Sequence, residues 1–225
     1  MYLVVLGMLS TMFCIGANII SARLGYFGPF VAPMGVFFFP FIYIISDVIS
    51  DVYGYKTSRK ISWMTQITNI VFVFGILLII TLNKPAEWCK PADNALRLLI
   101  IGTSGVSGMI RVMLSGIVGA VIGGWINDII FQWYRNKDGV DKFTKRKLLS
   151  SLGAEVIDTV LFITLAFAGT VPTSMLLVMY PVQFVLKYSV ECITEPIARR
   201  LSKYIRSKEG DVYVNDNSYT LFGGK

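Results

Sequence analysis

Six stretches of roughly twenty residues each are apolar almost throughout, and no other property limits so strongly what this chain can fold into. At a rise of about 1.5 Å per residue, such a stretch crosses the ~30 Å hydrocarbon of a bilayer as one helix. Hydrocarbon offers no hydrogen bonds, so a backbone inside it must satisfy itself, which a helix does along its own length. The apolar blocks place spans near residues 2–22, 35–52, 60–82, 107–132, 150–169 and 173–197. A hydrophobic share of 54% and a mean hydropathy of +0.62 are too high for an ordinary soluble domain. The expected fold class is an all-α integral membrane protein, a bundle of six transmembrane helices over residues 1–200 followed by a polar cytoplasmic tail over residues 201–225. The opening segment lacks a basic leader, and its apolar run exceeds a signal-peptide core, so it reads as a retained first span.

Basic residues alternate across this arrangement. Lys56, Arg59 and Lys60 follow the second span; Arg135, Lys137, Lys142, Lys145, Arg146 and Lys147 follow the fourth; Arg199, Arg200, Lys203, Arg206 and Lys208 follow the sixth. The other side holds only Arg23, Lys84, Lys90 and Arg97. By the positive-inside rule both termini and the basic loops face the cytoplasm, in a multi-pass protein of the cytoplasmic (inner) membrane. The net charge of +7 is then topology and not a nucleic-acid footprint. Between the first two spans, GYFGPFVAPMG is rich in Gly and Pro yet uncharged, which suits either a short re-entrant segment lined by protein or a tight loop.

Chemistry is limited by what is missing. The sequence has no histidine, and Cys14, Cys89 and Cys192 show no close pairing, so imidazole catalysis and Cys/His zinc sites drop out; Cys14 and Cys192 read as small apolar fillers. No G-x-x-x-x-G-K-[ST] loop occurs, and no cofactor is expected.

The spans nevertheless carry Asp47, Asp51, Arg111, Asp128, Glu155, Asp158, Lys187 and Glu191. Each ionised group at the centre of a spanning helix raises its insertion free energy by roughly 2.5–3.5 kcal/mol, so such groups face a partner or a wet cavity. Tyr43, Asp47 and Asp51 recur every fourth residue on one face of the second span, beside Phe38 and Phe39, where Pro40 should kink or break the helix and free a carbonyl. Asp47 reads as a site residue, whereas Asp51 is either a site residue or an interfacial one. Glu155 and Asp158, three apart, share a face; unless a cation intervenes they would share a proton, and the rival reading is a static ion pair with Arg111 or Lys187. Gln183, Lys187 and Glu191 step along the sixth span by fours, with Tyr180 beyond them. Arg111 could clamp a planar carbonyl or carboxylate, and Lys187 offers a movable point charge. Acids outnumber these two cations, so some acids must be neutral, water-exposed or matched by a cationic solute. Asn18, with Ser21, is as much an interhelical hydrogen-bonding group as a ligand, and Trp125, Asn127 and Asp128 read as interfacial anchors. Ser115, Gly119 and Gly123, four apart, let another backbone approach the fourth span and make that helix central.

The runs FPFIYIISDVISDVYGYK, RVMLSGIVGAVIGGWINDIIFQWYR, AEVIDTVLFITLAFAG and KYSVECITEP, in this order, resemble the queuosine precursor transporter family, also called the vitamin uptake transporter family. The resemblance runs from about Asn18 to Pro196, and its most specific part is FP-x-x-Y-x-x-x-D followed by YGYK. It implies a six-helix importer of 7-deazaguanine bases or queuine, used in tRNA modification, and it carries over Asn18, Pro40, Tyr43, Asp47, Arg111, Asp158, Lys187 and Glu191. Asp51 stands where the family often has Glu, and Asn127 where an Asp is usual, with Asp128 beside it. Such a base presents an amide N–H and an exocyclic amine along one edge, which a carboxylate accepts at two points, while a cation donates to its ring carbonyl. The expected substrate-binding set is Asn18, Phe39, Tyr43, Asp47, Arg111, Glu155, Asp158, Gln183, Lys187 and Glu191, with Asp47, Glu155 and Asp158 as proton-coupling candidates. Two rivals remain: the substrate-binding subunit of an energy-coupling-factor vitamin importer, which needs an ATPase partner, and an intramembrane enzyme holding a divalent metal on Asp47, Asp51, Glu155 and Asp158. The lipid bilayer is a certain partner on this reading, and a homo-oligomer is left open.

Overall fold

The computed structural model describes residues 1–82, 90–103, 106–138 and 142–210. Lys84 and Cys89, and residues 211–225 of the expected tail, lie outside the described residues. Helix α1 (Tyr2–Ser21) leads into a hairpin of β1 (Leu24–Phe27) and β2 (Phe30–Pro33), then a 3-10 turn (Met34–Phe37) and α2 (Phe39–Tyr53). Helix α3 (Tyr55–Thr81), a short α4 (Lys90–Ile101) and a two-residue pair of strands, β3 (Gly102–Thr103) with β4 (Val106–Ser107), lead to α5 (Met109–Asp138), α6 (Phe143–Phe167) and α7 (Thr173–Glu209). Six of these are long and apolar enough to cross a membrane, with the 3-10 turn and α2 forming one span from Met34 to Tyr53. They match the apolar blocks, and the surface they leave exposed is apolar: Val4, Met8 and Met12 on α1, Phe74 and Leu78 on α3, Ile193 and Ile197 on α7.

Four local features differ from the sequence reading. Pro40 does not kink a helix interior: it sits in the first turn of α2, where its missing N–H has no partner to lose. The span is interrupted just before it, and the Phe38 carbonyl is occupied by the Phe41 amide at 3.2 Å instead of being freed. The segment after α1 is a hairpin with Leu24 opposite Pro33, a paired structure that a Gly/Pro-rich reading did not resolve. The loop before α5 contains the amphipathic α4, where Asp93 and Arg97 pair at 3.1 Å and Arg97 also donates to the Ile80 carbonyl near the end of α3. Helix α7 runs on past Pro196 because its buried stripe does, through Glu191, Glu195, Ala198, Ser202 and Ile205.

Glycine sets two junctions. Gly54 alone separates α2 from α3, and its φ of +88° is a conformation that a residue with a Cβ rarely adopts, which accounts for the YGYK element. Along α5, side chains added at Gly116, Gly119 and Gly123 would meet Asn18, Asp158, Tyr43 and the Ala154 carbonyl. The small-residue stripe therefore packs directly on α6, antiparallel to it, with Phe131 against Phe143 at the far end (ring centroids 5.7 Å). In lipid, apolar burial between helices gains little, so close backbone packing and polar contacts must hold the bundle. Met1 N lies 3.1 Å from Glu209 Oε1, so the start of α1 and the end of α7 share one end of the bundle.

Gly119→Leu should lower the thermal midpoint of the detergent-solubilised protein by the equivalent of about 1–3 kcal/mol, the usual range for overpacking. Gly75→Leu, where a Cβ meets nothing within 4 Å, is the matched control and should leave the midpoint in place.

Candidate functional site

The polar stripes of α2, α5, α6 and α7 meet near the middle of the bundle. On α6, Lys147, Ser151, Glu155 and Asp158 follow one another at intervals of three or four and so share a face. On α7, Gln183, Lys187 and Glu191 do the same. Where these faces meet, Lys187 Nζ lies 3.0 Å from Glu155 Oε2 and is also bonded to Asp158 Oδ2. The ammonium faces the rings of Phe39 and Tyr43, 5.1 and 5.9 Å from their centroids. One turn further along α7, Glu191 Oε2 lies 3.3 Å from Lys147 Nζ, which is in turn 3.9 Å from Asp47 Oδ2 on α2. Asn127 of α5 donates from Nδ2 to Asp47 Oδ1 at 2.7 Å. Asp47, Asn127, Lys147, Glu155, Gln183, Lys187 and Glu191 are all 0% exposed.

A second knot lies one helical turn away at Asp51. Its carboxylate accepts from Arg135 Nη1 (2.8 Å), Arg146 Nη2 (2.7 Å), Arg206 Nη2 (2.8 Å) and Ser202 Oγ (2.5 Å). Beside it, Gln132 Nε2 donates to Ser50 Oγ at 2.6 Å. Charge-assisted bonds from three helices to one carboxylate make Asp51 a fastening among α2, α5, α6 and α7. A third pair, Arg59 with Asp128 at 3.3 Å, joins α3 to α5, with Ser46 donating to Asp128 Oδ1.

The structure thus brings Phe39, Tyr43, Asp47, Glu155, Asp158, Lys187 and Glu191 into one cluster. Gln183 lies one turn beyond Lys187, and Asn18 packs against Gly116 of α5 with its Oδ1 unpartnered among the described residues. Arg111 is not brought in. Its guanidinium donates to the Leu165 and Ala168 carbonyls at 2.8 and 2.5 Å, closing the C-terminal end of α6. Asp51, Asn127 and Asp128 are buried within the bundle and held by polar partners on other helices. Cys192 is exposed on the outer face, whereas Cys14 is buried, 3.9 Å from Gln66.

Arg59, Arg135, Arg146 and Lys147, counted in the sequence as loop charges, are buried inside the bundle. Helical spacing was the available signal: Lys147 lies two steps of four before Glu155, and Arg135 two steps of four after Asn127. Also unforeseen is a polar face of α3, with Thr65, Gln66 and Asn69 buried; neither polar atom of Asn69 has a partner among the described residues.

Lys187 between Glu155 and Asp158 supplies the intervening cation that the spacing alone left undecided. No group of three or more Asp, Glu or Cys side chains among the described residues is arranged to hold a metal ion, because lysines and arginines stand between the acids. A cavity of about 30 Å³, lined by Phe39, Tyr43, Ser46, Ser58, Thr65 and Gln66, adjoins the cluster. That is far below the roughly 300 Å³ at which small-molecule pockets begin, so the bundle is closed around its polar centre.

A sequence model of one protein family, described as vitamin uptake transporter, matches residues 33–200, which span every member of the cluster except Asn18. No match was found among curated proteins or among solved structures.

Asp51→Asn removes the one carboxylate on which three guanidinium groups converge, and breaking a buried pair in this way typically costs about 3–5 kcal/mol. The expected result is a lower thermal midpoint in detergent and loss of monodisperse protein on gel filtration.

Proposed function

Because the chain belongs to the vitamin uptake transporter family, we propose that it imports queuosine precursors, 7-deazaguanine bases or queuine, across the cytoplasmic membrane for tRNA modification. The observation that supports this best is the composition of the buried cluster. Carboxylates, two lysines, amides and two aromatic rings meet in the interior of a bundle of apolar helices. A nucleobase-like solute matches each class: its N–H edge is accepted by Asp47 or Glu155, its carbonyl is approached by Lys187 or Lys147, and its face stacks on Phe39 or Tyr43. Gln183, Asn127 and Asn18 add amide groups for the remaining edges.

The closed bundle fits a carrier that opens alternately to each side of this centre. Coupling to protons follows from the same groups. A proton taken up by Asp158 or Glu155 releases Lys187 from one of its two carboxylates, and Asp47 has the same relation to Lys147. Both termini and the basic loops face the cytoplasm on this reading, with Lys60, Lys142, Lys145, Arg199, Arg200 and Lys203 still exposed at that end.

A cell unable to make queuosine should regain modified tRNA from supplied precursor only when this chain is expressed; absence of rescue would reject the reading. Purified protein in liposomes should take up the base without an ATPase, and uptake that appears only with an added ATPase module would favour the energy-coupling-factor alternative. Asp158→Asn should abolish proton-driven accumulation while the protein still reaches the membrane, as read by uptake with and without an imposed pH gradient.

A further inference from the structure

We propose that the central site selects an organic monocation with several N–H donors over its neutral isostere, and that Glu155 and Glu191 are the residues that read the charge. The proposal rests on the importer reading and narrows its substrate class. Among the described residues of the cluster, the cations that Asp47, Glu155, Asp158 and Glu191 meet are Lys147 and Lys187. With all six ionised, this cluster has two more carboxylates than ammonium groups, an excess offset only from outside it, by the guanidinium groups around Asp51.

The hydrogen-bond inventory leans the same way. The buried polar atoms of this region left without a partner among the described residues include the oxygens Asp47 Oδ2, Glu155 Oε1, Glu191 Oε1, Asn127 Oδ1, Asn18 Oδ1 and Gln183 Oε1, together with the hydroxyls of Tyr43 and Ser151. The first six only accept while the acids are ionised, the two hydroxyls can donate or accept, and Gln183 Nε2 only donates. A buried acceptor without a donor is costly, so the missing component is a donor-rich group. Gln183, with both polar atoms unpartnered and no exposed surface, shows that the deficit extends beyond the acids. Glu155 and Glu191 sit at the α6–α7 seam between the two lysines. Each holds one oxygen on a lysine, Glu155 on Lys187 and Glu191 on Lys147, which leaves the others for a solute.

Within the precursor class, the protonated aminomethyl base supplies such a group, and the cyano base of the same ring does not. The test is binding to the full chain in lipid nanodiscs, with the aminomethyl, hydroxymethyl and cyano bases as probes. The aminomethyl base should bind about tenfold or more tightly than either neutral one, a difference of about 1.4 kcal/mol. Glu191→Gln and Glu155→Gln should each bring that ratio toward one. Equal affinity of the wild-type protein for the charged and neutral bases would overturn the proposal and leave the importer reading standing. Failure of all three bases and of queuine to bind would overturn both. The wild-type comparison needs no variant, so a misfolded Glu155→Gln cannot hide the answer.

Discussion

Buried charge held by opposite charge on another helix is the interaction on which this structure depends. In a bilayer, apolar contact between helices is hardly favoured over contact with lipid, so polar pairs and close packing must specify which faces meet. Here Lys187 and Lys147 join α7 and α6 to each other and to α2, while Asp51 gathers guanidinium groups from α5, α6 and α7. The two knots are unbalanced in opposite senses: the lysine cluster has an excess of carboxylate, and the Asp51 cluster an excess of guanidinium. Asp47 and Asp51 lie one turn apart on α2, and Arg146 and Lys147 are neighbours on α6. The opposite excesses therefore sit close enough to stabilise each other across a low-dielectric interior. A rotation of α2 or α6 by one residue would separate both sets at once.

Small residues make this charge pattern sterically feasible. Gly119 and Gly123 leave space on α5 for Asp158 and Tyr43, so the acid reaches the midline without parting α5 from α6. The S-x-x-x-G-x-x-x-G pattern thus has a local purpose: it is the floor of the polar centre as much as a helix-packing motif.

The six spans were legible because long apolar runs leave the backbone one economical solution, but the runs did not fix every helix end: α6 begins at Phe143 and α7 continues to Glu209, well outside the expected bounds of 150–169 and 173–197. Most of the cluster was legible too, since Asp47, Glu155, Asp158, Lys187 and Glu191 are conspicuous in apolar surroundings. Lys147, Arg146 and Arg135 were harder because the α5–α6 connection is basic overall, and a charge near a loop is ordinarily read as topology. Only the i, i+4 continuation of an acidic stripe separates Lys147 from Lys145, which is exposed and pairs with Asp138 at 2.7 Å. Arg111 shows the converse limit. An arginine in an apolar run needs acceptors, but the sequence cannot say that they are the last carbonyls of a neighbouring helix. Asn69 and Gln66 were missed because one or two amides in a 27-residue helix barely alter its hydropathy.

The closure of the bundle is chemically asymmetric, and that bears on how it can open. At the Asp51 end, α2 is tied to α5, α6 and α7 by hydrogen bonds to an ionised group, each worth about 1.5–3 kcal/mol. At the other end, apart from the bonds of Arg111 to the Leu165 and Ala168 carbonyls, the packing is largely apolar: Phe39 against Phe162 (5.4 Å), Phe162 against Phe167 (6.0 Å), and Met179 packed with them. Parting apolar side chains toward lipid or water exposes surface but strands no charge. Parting the Asp51 knot without water would strand three guanidinium groups, so that end can separate only as water enters to replace the carboxylate. On the proposed carrier reading, the bundle would have a gate of packing on one side and a gate of solvation on the other. On that reading, the two lysines between them would be the groups whose partners a bound cation or an arriving proton changes.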